Sequence, residues 1–337
     1  MKVAIIGATG AVGREMISEL EDSVIKTIEV GMFASPRSEG TTVEFRGKKV
    51  TVQAFSLERL KGYDYALMSA GGGFSREFAQ EIASNGTIVI DNSSAWRMDP
   101  NLPLVVPEVN GHTLKDSKNT IIANPNCSTI QMLVNIAPLE RDFGLDMVQV
   151  ATYQSVSGTG QKGLNELAEQ VREQFNMSEL TPKVYPQPIA FNVLPAIGPI
   201  DQEGHAEEEI KMVRETKKIL NNDDIEVLAT TVRVPVFSCH SESIVVKLKK
   251  KVSLEEVFAS LGSQKGLRVI NSSNQADFPT PLNVAGKRDT FVTRVRLPYG
   301  LKLQDKCEWV QMWNVADNLK KGAATNAVQV LEELVLG

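Results

Sequence analysis

The first 126 residues alternate between short apolar runs and segments in which apolar residues recur at helical spacing. The run 3–6 is entirely apolar, and the segment after it places Val12, Met16, Ile17 and Leu20 on one helical face. Nearly continuous apolar runs are typical of strands buried on both faces of a parallel sheet. Their alternation with helices predicts an α/β fold that begins with a doubly wound (Rossmann) domain. Further strands are predicted at residues 27–33, 65–69, 87–90, 104–106 and 120–123.

The pattern changes after residue 126. The strands become longer and often alternate between apolar and polar residues, which is typical of a sheet with one face solvated or facing another subunit. Strands are predicted at residues 148–154, 225–234, 243–248, 290–297 and 308–315, and helices at 163–175, 206–220 and 254–261. A last helix, at 318–335, is predicted to return to the first domain. The predicted domains are therefore residues 1–126, completed by a C-terminal helix at 318–337, and residues 127–317.

Composition and charge limit the kinds of molecule that this protein is expected to bind. The chain has 337 residues, of which 42% are hydrophobic and 23% charged, as is typical of a globular protein with about two domains. A formal net charge of −5, with Lys and Arg spread along the chain, argues against a nucleic-acid partner. No apolar run approaches the ~20 residues of a membrane span, and no signal-peptide pattern precedes the first strand. We therefore expect a cytoplasmic protein with no membrane partner.

The glycine motif Gly7-Ala8-Thr9-Gly10-Ala11-Val12-Gly13 lies between the first strand and the first helix. Glycines at such a turn let the backbone approach a pyrophosphate, which the helix N-terminus then stabilises. The spacing is G-x-x-G-x-x-G and not the strict G-x-G-x-x-G, and glycine turns are common. Its position directly after an apolar strand makes a dinucleotide site the better interpretation.

The end of the second predicted strand favours NADP over NAD. An acidic residue there would hold the ribose 2′-hydroxyl of NAD, but the sequence has Arg37 and Ser38, which can pair with a 2′-phosphate. Glu29 lies inside the predicted strand and not at its end. The alternative is that Arg37 is a solvated loop residue. Small residues at 69–73 would let the cofactor lie close over the sheet edge.

Cys127 is the leading candidate for a nucleophile. It stands between an apolar strand end at 121–123 and a segment in which apolar residues recur at helical spacing. A helix N-terminus favours the thiolate over the thiol. The alternative is a buried structural cysteine, but Pro125 and Asn126 argue against a continuous buried element. The three cysteines of the chain are too few and too scattered for a disulfide framework or a zinc site, so we expect reduced thiols and no metal.

Three polar residues in the second half could work with this thiol. His240, one of only three histidines, precedes an apolar strand, and a Cys–His pair needs only spatial adjacency. Arg233 ends a strand and could bind a carboxylate bidentately. Gln154 ends another strand and offers an amide for positioning. The alternatives are a structural histidine, a snorkelling arginine and an ordinary glycine-containing loop after Gln154.

Several motifs resemble one family, and they are spread over the whole chain in the expected order. They are G-A-T-G-A-V-G at 7–13, S-S-A-W-R-M-D at 93–99, N-P-N-C-S-T-I-Q at 124–131, Y-Q-S-V-S-G-T-G at 153–160, E-E-x-K at 208–211, R-x-P-V-x-x-x-H at 233–240 and D-N-L-x-K-G-A-A at 317–324. The chain resembles the aspartate-semialdehyde dehydrogenases. This resemblance implies that the second domain is an α+β catalytic and dimerisation domain with a mixed sheet, as in glyceraldehyde-3-phosphate dehydrogenase. Trp96 and Cys239 are small departures from the family pattern.

The resemblance also implies the roles of individual residues. Cys127 is expected to be the nucleophile, His240 the general acid/base and Gln154 the residue that orients the substrate. Arg233 is expected to bind the substrate α-carboxylate and Glu208 its amino group. Phosphate is expected to contact Arg97, Asn126 and Lys211. NADP is expected to contact Thr9, Gly10, Ala11, Val12, Arg37, Ser38, Ser157, Gly158 and Asn318.

The implied activity is the reversible, NADPH-dependent reductive dephosphorylation of L-4-aspartyl phosphate to L-aspartate 4-semialdehyde through a cysteine thioester. It belongs to the biosynthesis of lysine (through diaminopimelate), threonine, methionine and isoleucine, and the implied assembly is a homodimer or homotetramer. N-acetyl-γ-glutamyl-phosphate reductase is the nearest alternative, but its acylated substrate would not need Glu208. The substrate of glyceraldehyde-3-phosphate dehydrogenase lacks the carboxylate that Arg233 is expected to bind. A non-catalytic NADP-binding regulator would have no use for the thiol and imidazole.

Overall fold

The computed structural model describes residues 1–115, 121–301 and 305–337. The chain divides into two compact units. The first unit comprises Met1–Asn126 and Ala323–Gly337, and the second comprises Cys127–Gly322. The sequence placed the return to the first domain at residue 318, whereas residues 318–322 belong to the second unit. Their hydrogen bonds explain the difference, because the Asn318 side-chain oxygen accepts bonds from Ser155 and Ser157 of that unit.

The strands and helices alternate through most of the chain. The strands are β1 (Lys2–Ile6), β2 (Glu29–Ala34), β3 (Thr42–Phe45), β4 (Lys48–Thr51), β5 (Gln53–Ala54), β6 (Tyr65–Met68), β7 (Ile88–Asp91), β8 (Ile121–Ala123), β9 (Leu145–Gln154), β10 (Glu226–Arg233), β11 (His240–Val252), β12 (Leu267–Ile270), β13 (Thr290–Arg296) and β14 (Cys307–Ala316). The α-helices are α1 (Ala11–Asp22), α2 (Gly72–Ser84), α3 (Pro107–Asn110), α4 (Cys127–Phe143), α5 (Gln161–Phe175), α6 (Glu207–Leu220), α7 (Leu254–Gly262), α8 (Pro281–Val284) and α9 (Thr325–Leu336). No helix in the described ranges is long and apolar enough to cross a bilayer.

The first unit contains a parallel sheet of six strands in the order β5-β2-β1-β6-β7-β8. This confirms the predicted doubly wound fold. The apolar run of β1 is buried at four consecutive positions, as expected for a strand covered on both faces. Apolar residues of α9, including Val328 and Leu331, share one buried core with Leu20 of α1.

Three details of the first unit differ from the predictions, the first of which is that the two-residue edge strand β5 was not predicted. The predicted strand at 104–106 is only an isolated bridge between Leu104 and Ala123. Pro103 and Pro107 flank it, and a proline has no N–H with which to extend a ladder. The hairpin of β3 and β4 was not predicted, because its strands are mostly exposed and polar. Thr120, in the predicted strand 120–123, lies outside the described residues.

The second unit contains a mixed sheet of six strands in the order β10-β9-β11-β14-β13-β12, as the resemblance implied. β10 runs parallel to β9, whereas β11 runs antiparallel to both β9 and β14. β12, a short edge strand, was not predicted. The helix α4 packs on β11. This register determines which side chains meet at the end of β9.

Candidate active site

Cys127 is the first residue of α4, as the sequence predicted, and its thiol is partly exposed. The backbone of Gly322 packs directly against it. A methyl group added at Gly322 would lie 2.8 Å from Cβ of Cys127 and 3.6 Å from Cβ of Asn318. Carbon atoms cannot approach to 2.8 Å without displacement, so Gly322 must lack a side chain. This glycine stands in the motif at 317–324, but no role was predicted for it.

Three of the predicted site residues lie side by side at one end of the mixed sheet. Gln154, the last residue of β9, pairs with Arg233 of β10 on one side and with His240 of β11 on the other. Because β10 is parallel and β11 antiparallel to β9, the end of one neighbouring strand and the start of the other meet at the same residue. All three side chains are buried. The register therefore brings together residues that are up to 86 positions apart in the chain.

A hydrogen bond from Ser155 determines which ring nitrogen of neutral His240 carries the proton. The backbone N–H of Ser155 donates to Nδ1 of His240 at 3.0 Å. Because a backbone N–H can only donate, Nδ1 carries a lone pair, and the neutral ring carries its proton on Nε2. Nε2 has no hydrogen-bond partner among the described residues. Burial, and next the positive charge of Arg233, lower the pKa of His240 to about 3, so the ring is neutral at pH 7.

The backbone of Ser155 also holds Arg233. Nη1 of Arg233 donates to the carbonyl oxygen of Ser155 at 2.6 Å. Gly158 lies against both side chains, because a methyl group there would be 3.2 Å from Nη1 of Arg233 and 3.4 Å from Nε2 of His240. The guanidinium and the imidazole therefore border one small region next to Gly158. Ser155 was not among the predicted site residues, although it stands in the quoted motif 153–160.

A second chain of contacts connects Gln154 with α6. Nε2 of Gln154 donates to Oε1 of Glu208 at 3.1 Å, and Oε2 of Glu208 lies 3.5 Å from Nζ of Lys211. Lys211 also pairs with Glu207 at 3.0 Å. The structure thus brings together the three predicted residues Gln154, Glu208 and Lys211. It also places the Lys211 charge between two carboxylates, which the sequence pattern did not indicate.

Asn318 connects the imidazole with the thiol helix. Its Oδ1 accepts hydrogen bonds from the hydroxyls of Ser155 and Ser157 and from the backbone N–H of Cys239, at 3.0–3.1 Å. The Ser155 hydroxyl also lies 3.1 Å from Nδ1 of His240. Since Gly322 touches both Asn318 and Cys127, an unbroken series of contacts joins the thiol to the imidazole. Ser157 and Asn318, both predicted to bind the cofactor, are thus also part of this internal network.

In the first unit, the glycine motif borders a cavity of about 460 Å³. A methyl group at Gly7 would lie 2.4 Å from the Ser69 carbonyl oxygen, so the turn needs glycine. Gly10 precedes the first residues of α1, Ala11 and Val12, whose backbone N–H groups are those available at a helix N-terminus. These features fit a dinucleotide pyrophosphate. The cavity is lined by Ile6, Gly7, Thr9, Gly10, Ala34, Ser35, Pro36, Phe55, Ser69, Ala70 and Phe74.

Residues that could bind the 2′-phosphate of NADP lie beside this cavity. Ser38 Oγ is 3.3 Å from Thr9 Oγ1, and Arg37 occupies a short 3₁₀ turn, Pro36–Ser38, directly after the lining residue Pro36. Phe55 and Phe74 also line the cavity, with ring centroids 4.6 Å apart. Sequence reasoning did not select these two rings, because isolated aromatic residues usually belong to a core.

The two remaining predicted phosphate ligands, Arg97 and Asn126, are buried in the first unit. Nε of Arg97 donates to the Asn124 carbonyl oxygen, and Nη2 donates to that of Asn92, both at 2.9 Å. Backbone carbonyls therefore fix the orientation of the guanidinium. Asn124 is two residues before Asn126, so Arg97 lies next to the segment that leads into Cys127.

Comparisons with known proteins show which proteins this chain is similar to. The family model described as the semialdehyde dehydrogenase NAD binding domain matches residues 2–117, and that of the semialdehyde dehydrogenase dimerisation domain matches residues 136–321. The chain is 46% identical to aspartate-semialdehyde dehydrogenase of Aquifex aeolicus, over 99% of this chain and 98% of that protein. It is 42% identical to that of Bacillus subtilis, over 99% and 97%. A crystal structure of aspartate semialdehyde dehydrogenase II from Vibrio cholerae, complexed with ASA, superposes with a TM-score of 0.93 at 42% identity, covering 99% and 98% of the two chains.

Proposed function

The chain belongs to the aspartate-semialdehyde dehydrogenase family, and on that premise we propose that Cys127 is the nucleophile of its reaction. The reaction is the reversible conversion of L-4-aspartyl phosphate to L-aspartate 4-semialdehyde and phosphate. It supplies the biosynthesis of lysine, threonine, methionine and isoleucine. One observation carries the assignment of residues: Gln154, Arg233 and His240 meet at one sheet end, and Asn318 and Gly322 connect this end to Cys127.

The first step uses the thiolate of Cys127. Its position at the start of α4 stabilises negative charge on sulfur, because the first N–H groups of a helix have no intrahelical acceptor. The sulfur attacks the acyl carbon, a C–S bond forms, and phosphate leaves with the electron pair of the broken C–O bond. Covalent capture replaces one difficult displacement with two easier steps.

A nicotinamide dinucleotide is the reductant, as the match to the NAD binding domain indicates, and we assign it as NADP(H). When bound, it supplies the hydride that the thioester carbon accepts. Thr9, Gly10, Ala11 and Val12 are placed to hold the pyrophosphate in our proposal. Arg37 and Ser38 would pair with the 2′-phosphate, and Ser157, Gly158 and Asn318 would contact the nicotinamide end.

His240 controls the proton of the second step in this proposal. Hydride transfer leaves an oxyanion on the carbon bound to Cys127. The Nε2–H of the neutral ring can donate to this oxygen, because Nδ1 is occupied by the Ser155 N–H. The oxyanion then re-forms the carbonyl bond and expels the thiolate of Cys127. In the reverse direction the same N–H stabilises the oxyanion that forms when the thiolate adds to the aldehyde.

The ends of the substrate carry different charges, and the proposed ligands match them. Arg233 would bind the α-carboxylate, with its guanidinium oriented by the Ser155 carbonyl. Glu208, which is buried and bonded to Gln154, would bind the α-ammonium group. Arg97, Asn126 and Lys211 would hold phosphate. For Lys211 this requires phosphate to replace part of its pairing with Glu207 and Glu208.

The buried carboxylate of Glu208 favours aspartate semialdehyde over an N-acetylated, longer substrate. A carboxylate that is out of water gains a strong partner from an ammonium group, whereas an acetamide carries no charge. The NADP⁺ reduction assay in the presence of phosphate tests this choice. We expect turnover with aspartate semialdehyde and none above background with N-acetylglutamate semialdehyde, and the opposite preference would contradict the proposal.

The assignment of Cys127 has its own test. We expect Cys127→Ala to abolish turnover and to leave NADPH binding, followed by fluorescence titration, unchanged. Near-normal rates in the purified variant would remove Cys127 from the mechanism. The control is Cys307→Ala, which changes a buried thiol on β14 outside the proposed site and should retain activity.

The dimerisation domain lies in the second unit, and we propose a homodimer, alone or paired into a tetramer. The support is the outer face of the mixed sheet, where partly exposed aromatic residues lie on β9 and β14, the strands on either side of β11. The rings of Tyr153 and Trp313 are 5.3 Å apart there, and aromatic side chains are enriched at protein interfaces. A reducing cytoplasm suits an enzyme that depends on a thiolate.

A further inference from the structure

A buried polar cluster lies next to the proposed catalytic residues, on the strand and helix that carry them and on the adjacent strand β14. Glu242 follows His240 by two residues on β11, so the two side chains lie on the same face of the sheet. Gln131 follows Cys127 by about one turn of α4. Asn314, on β14, is the direct cross-strand partner of Glu242 on β11. All three side chains are fully buried. The proposed mechanism uses none of them.

The cluster has more acceptors than hydrogens. The side-chain nitrogen of Asn314 has two hydrogens, which go to Oε2 of Glu242 and to the backbone oxygen of Gln131, both at 3.0 Å. Nε2 of Gln131 uses one of its two hydrogens to donate to the backbone oxygen of His240 at 3.3 Å, so the two amides have four hydrogens for six acceptor atoms. Oε1 of Glu242, Oε1 of Gln131 and Oδ1 of Asn314 have no donor among the described residues. An ionised carboxylate would leave this deficit in place, whereas a protonated one supplies a hydrogen.

The surroundings of Glu242 also disfavour a charge. Its neighbours across the sheet are Thr152 of β9 and Asn314 of β14, and the α4 side chain in contact with it is Gln131. The titratable groups nearest along these elements are His240, which is neutral, and Cys127. Burial raises the pKa of Glu242 well above its usual range, and the nearby Gln131 side chain and the hydrogen bond from Asn314 oppose this only in part. None of the charged side chains in the described part of the chain lowers the pKa of Glu242 as an ion pair would.

We propose that Glu242 is a protonated carboxylic acid that donates from Oε1 to Gln131 Oε1, and that it acts as a positioning residue for the catalytic pair. Its hydrogen bond orients the Gln131 amide, whose N–H then donates to the His240 carbonyl. The start of α4 is thereby fixed against the strand that presents the imidazole. The protonation state does not depend on the proposed function, and only the positioning role does.

The first test measures unfolding by urea as a function of pH for the wild type and Glu242→Gln. A glutamate in the unfolded chain has a pKa of about 4.3. If Glu242 is protonated in the folded protein, unfolding at any pH above this value therefore releases its proton. The ratio of the wild-type to the variant unfolding constant should therefore rise about tenfold per pH unit from about pH 5 upward. A ratio that is constant with pH would overturn the protonated state.

Glu166 provides a matched control. It is equally buried, but its oxygens accept from Gln170 Nε2 and from the backbone N–H groups of Lys183 and Val184. An amide cannot replace that carboxylate, because its NH₂ would face a donor. Glu166→Gln should therefore destabilise the fold at neutral pH, whereas Glu242→Gln should not. Equal destabilisation by both substitutions would contradict the proposal.

Infrared spectroscopy tests the proton directly on the wild type. We expect the carbonyl-stretch band of a protonated carboxylic acid at pH 7, lost in Glu242→Gln and kept in Glu166→Gln. Absence of this band in the wild type would refute the protonated state without reference to any variant.

Kinetics test the positioning role. Glu242→Gln retains a donor for Gln131, so we expect wild-type kcat and KM. Glu242→Leu removes the donor, and we expect kcat and the rate of Cys127 alkylation to fall about tenfold or more with KM for the semialdehyde little changed. Unchanged kcat in a folded Glu242→Leu variant would refute positioning. Failure of the proposed function would instead appear as an active Cys127→Ala enzyme.

Discussion

Cys127 and Cys239 are expected to react with a thiol reagent at rates that differ by about three orders of magnitude or more. Cys239 precedes His240 and is fully buried. Burial, and next the negative charge of Asp317, raise the pKa of Cys239 to about 12. The thiolate is the reactive form. At pH 8 only about one Cys239 side chain in ten thousand is therefore ionised, as each pH unit below the pKa is a factor of ten.

An ordinary cysteine with a pKa of about 8.5 is about one-quarter ionised at the same pH. Cys127 is partly exposed at a helix N-terminus, and so it should react at least as fast as such a thiol. Thiolate fractions alone then give a rate ratio of about 10³ or more between Cys127 and Cys239. Burial of Cys239 and Cys307 limits access of the reagent and increases the ratio further.

The assay is alkylation by iodoacetamide at pH 8, with each cysteine followed by peptide mass spectrometry. Activity should be lost with the modification of one equivalent, at Cys127, and aspartate semialdehyde should protect it. The slow reaction of Cys239 should accelerate about tenfold per pH unit as the pH rises toward 12. Alkylation of Cys239 at a rate similar to that of Cys127 would refute the argument from burial.

Four further outcomes are expected. Arg233→Leu should raise KM for the semialdehyde about ten- to hundredfold, the equivalent of losing a charge-assisted hydrogen bond of about 1.5–3 kcal/mol, and an unchanged KM would exclude a carboxylate site there. Gly158→Ala should lower kcat/KM about tenfold, because the methyl group would lie 3.2 Å from Arg233, whereas Gly262→Ala, which meets nothing within 4 Å, should have no effect. His240→Gln should lower kcat by about 10² or more. The wild type should lose stability as the pH falls from about 6.5 toward 3, because the unfolded ring takes up a proton that the folded ring excludes, and His240→Gln should remove this loss. Identical acid unfolding of both proteins would argue against the buried neutral ring. Arg37→Ala should raise KM for NADP⁺ about tenfold and leave KM for NAD⁺ unchanged, and equal effects on both cofactors would remove Arg37 from the 2′-phosphate site.

Sequence patterns predicted the parts of the fold that rest on apolar periodicity. The buried run of β1 and the one-sided helix α1 have the periods of a parallel strand and an amphipathic helix, and both were found. The hairpin of β3 and β4 was missed, because exposed polar strands carry little periodic signal. The segment 104–106 was wrong as a strand, because its apolar character reflects burial between two prolines and not pairing.

The candidate site likewise contains residues that the sequence predicted and residues that it did not. Cys127, Arg233 and His240 were selected from their residue type and from motifs, since their chemistry is carried by their own side chains. Ser155 was missed because its contribution comes mainly from backbone atoms, which look alike in every residue. The role of Gly322 depends on the close approach of two distant segments, which no local pattern encodes.

The backbone of one residue, Ser155, orients both the imidazole of His240, through its N–H, and the guanidinium of Arg233, through its C=O. In the proposed mechanism, substrate recognition by Arg233 and proton donation by His240 are consequently mechanically coupled. An engineered preference for a bulkier acid cannot be obtained by moving Arg233 outward, because the same displacement would rotate the imidazole. Variation that alters substrate size while preserving turnover must instead arise on surfaces that do not contact Ser155, such as the side of the region bordered by α6.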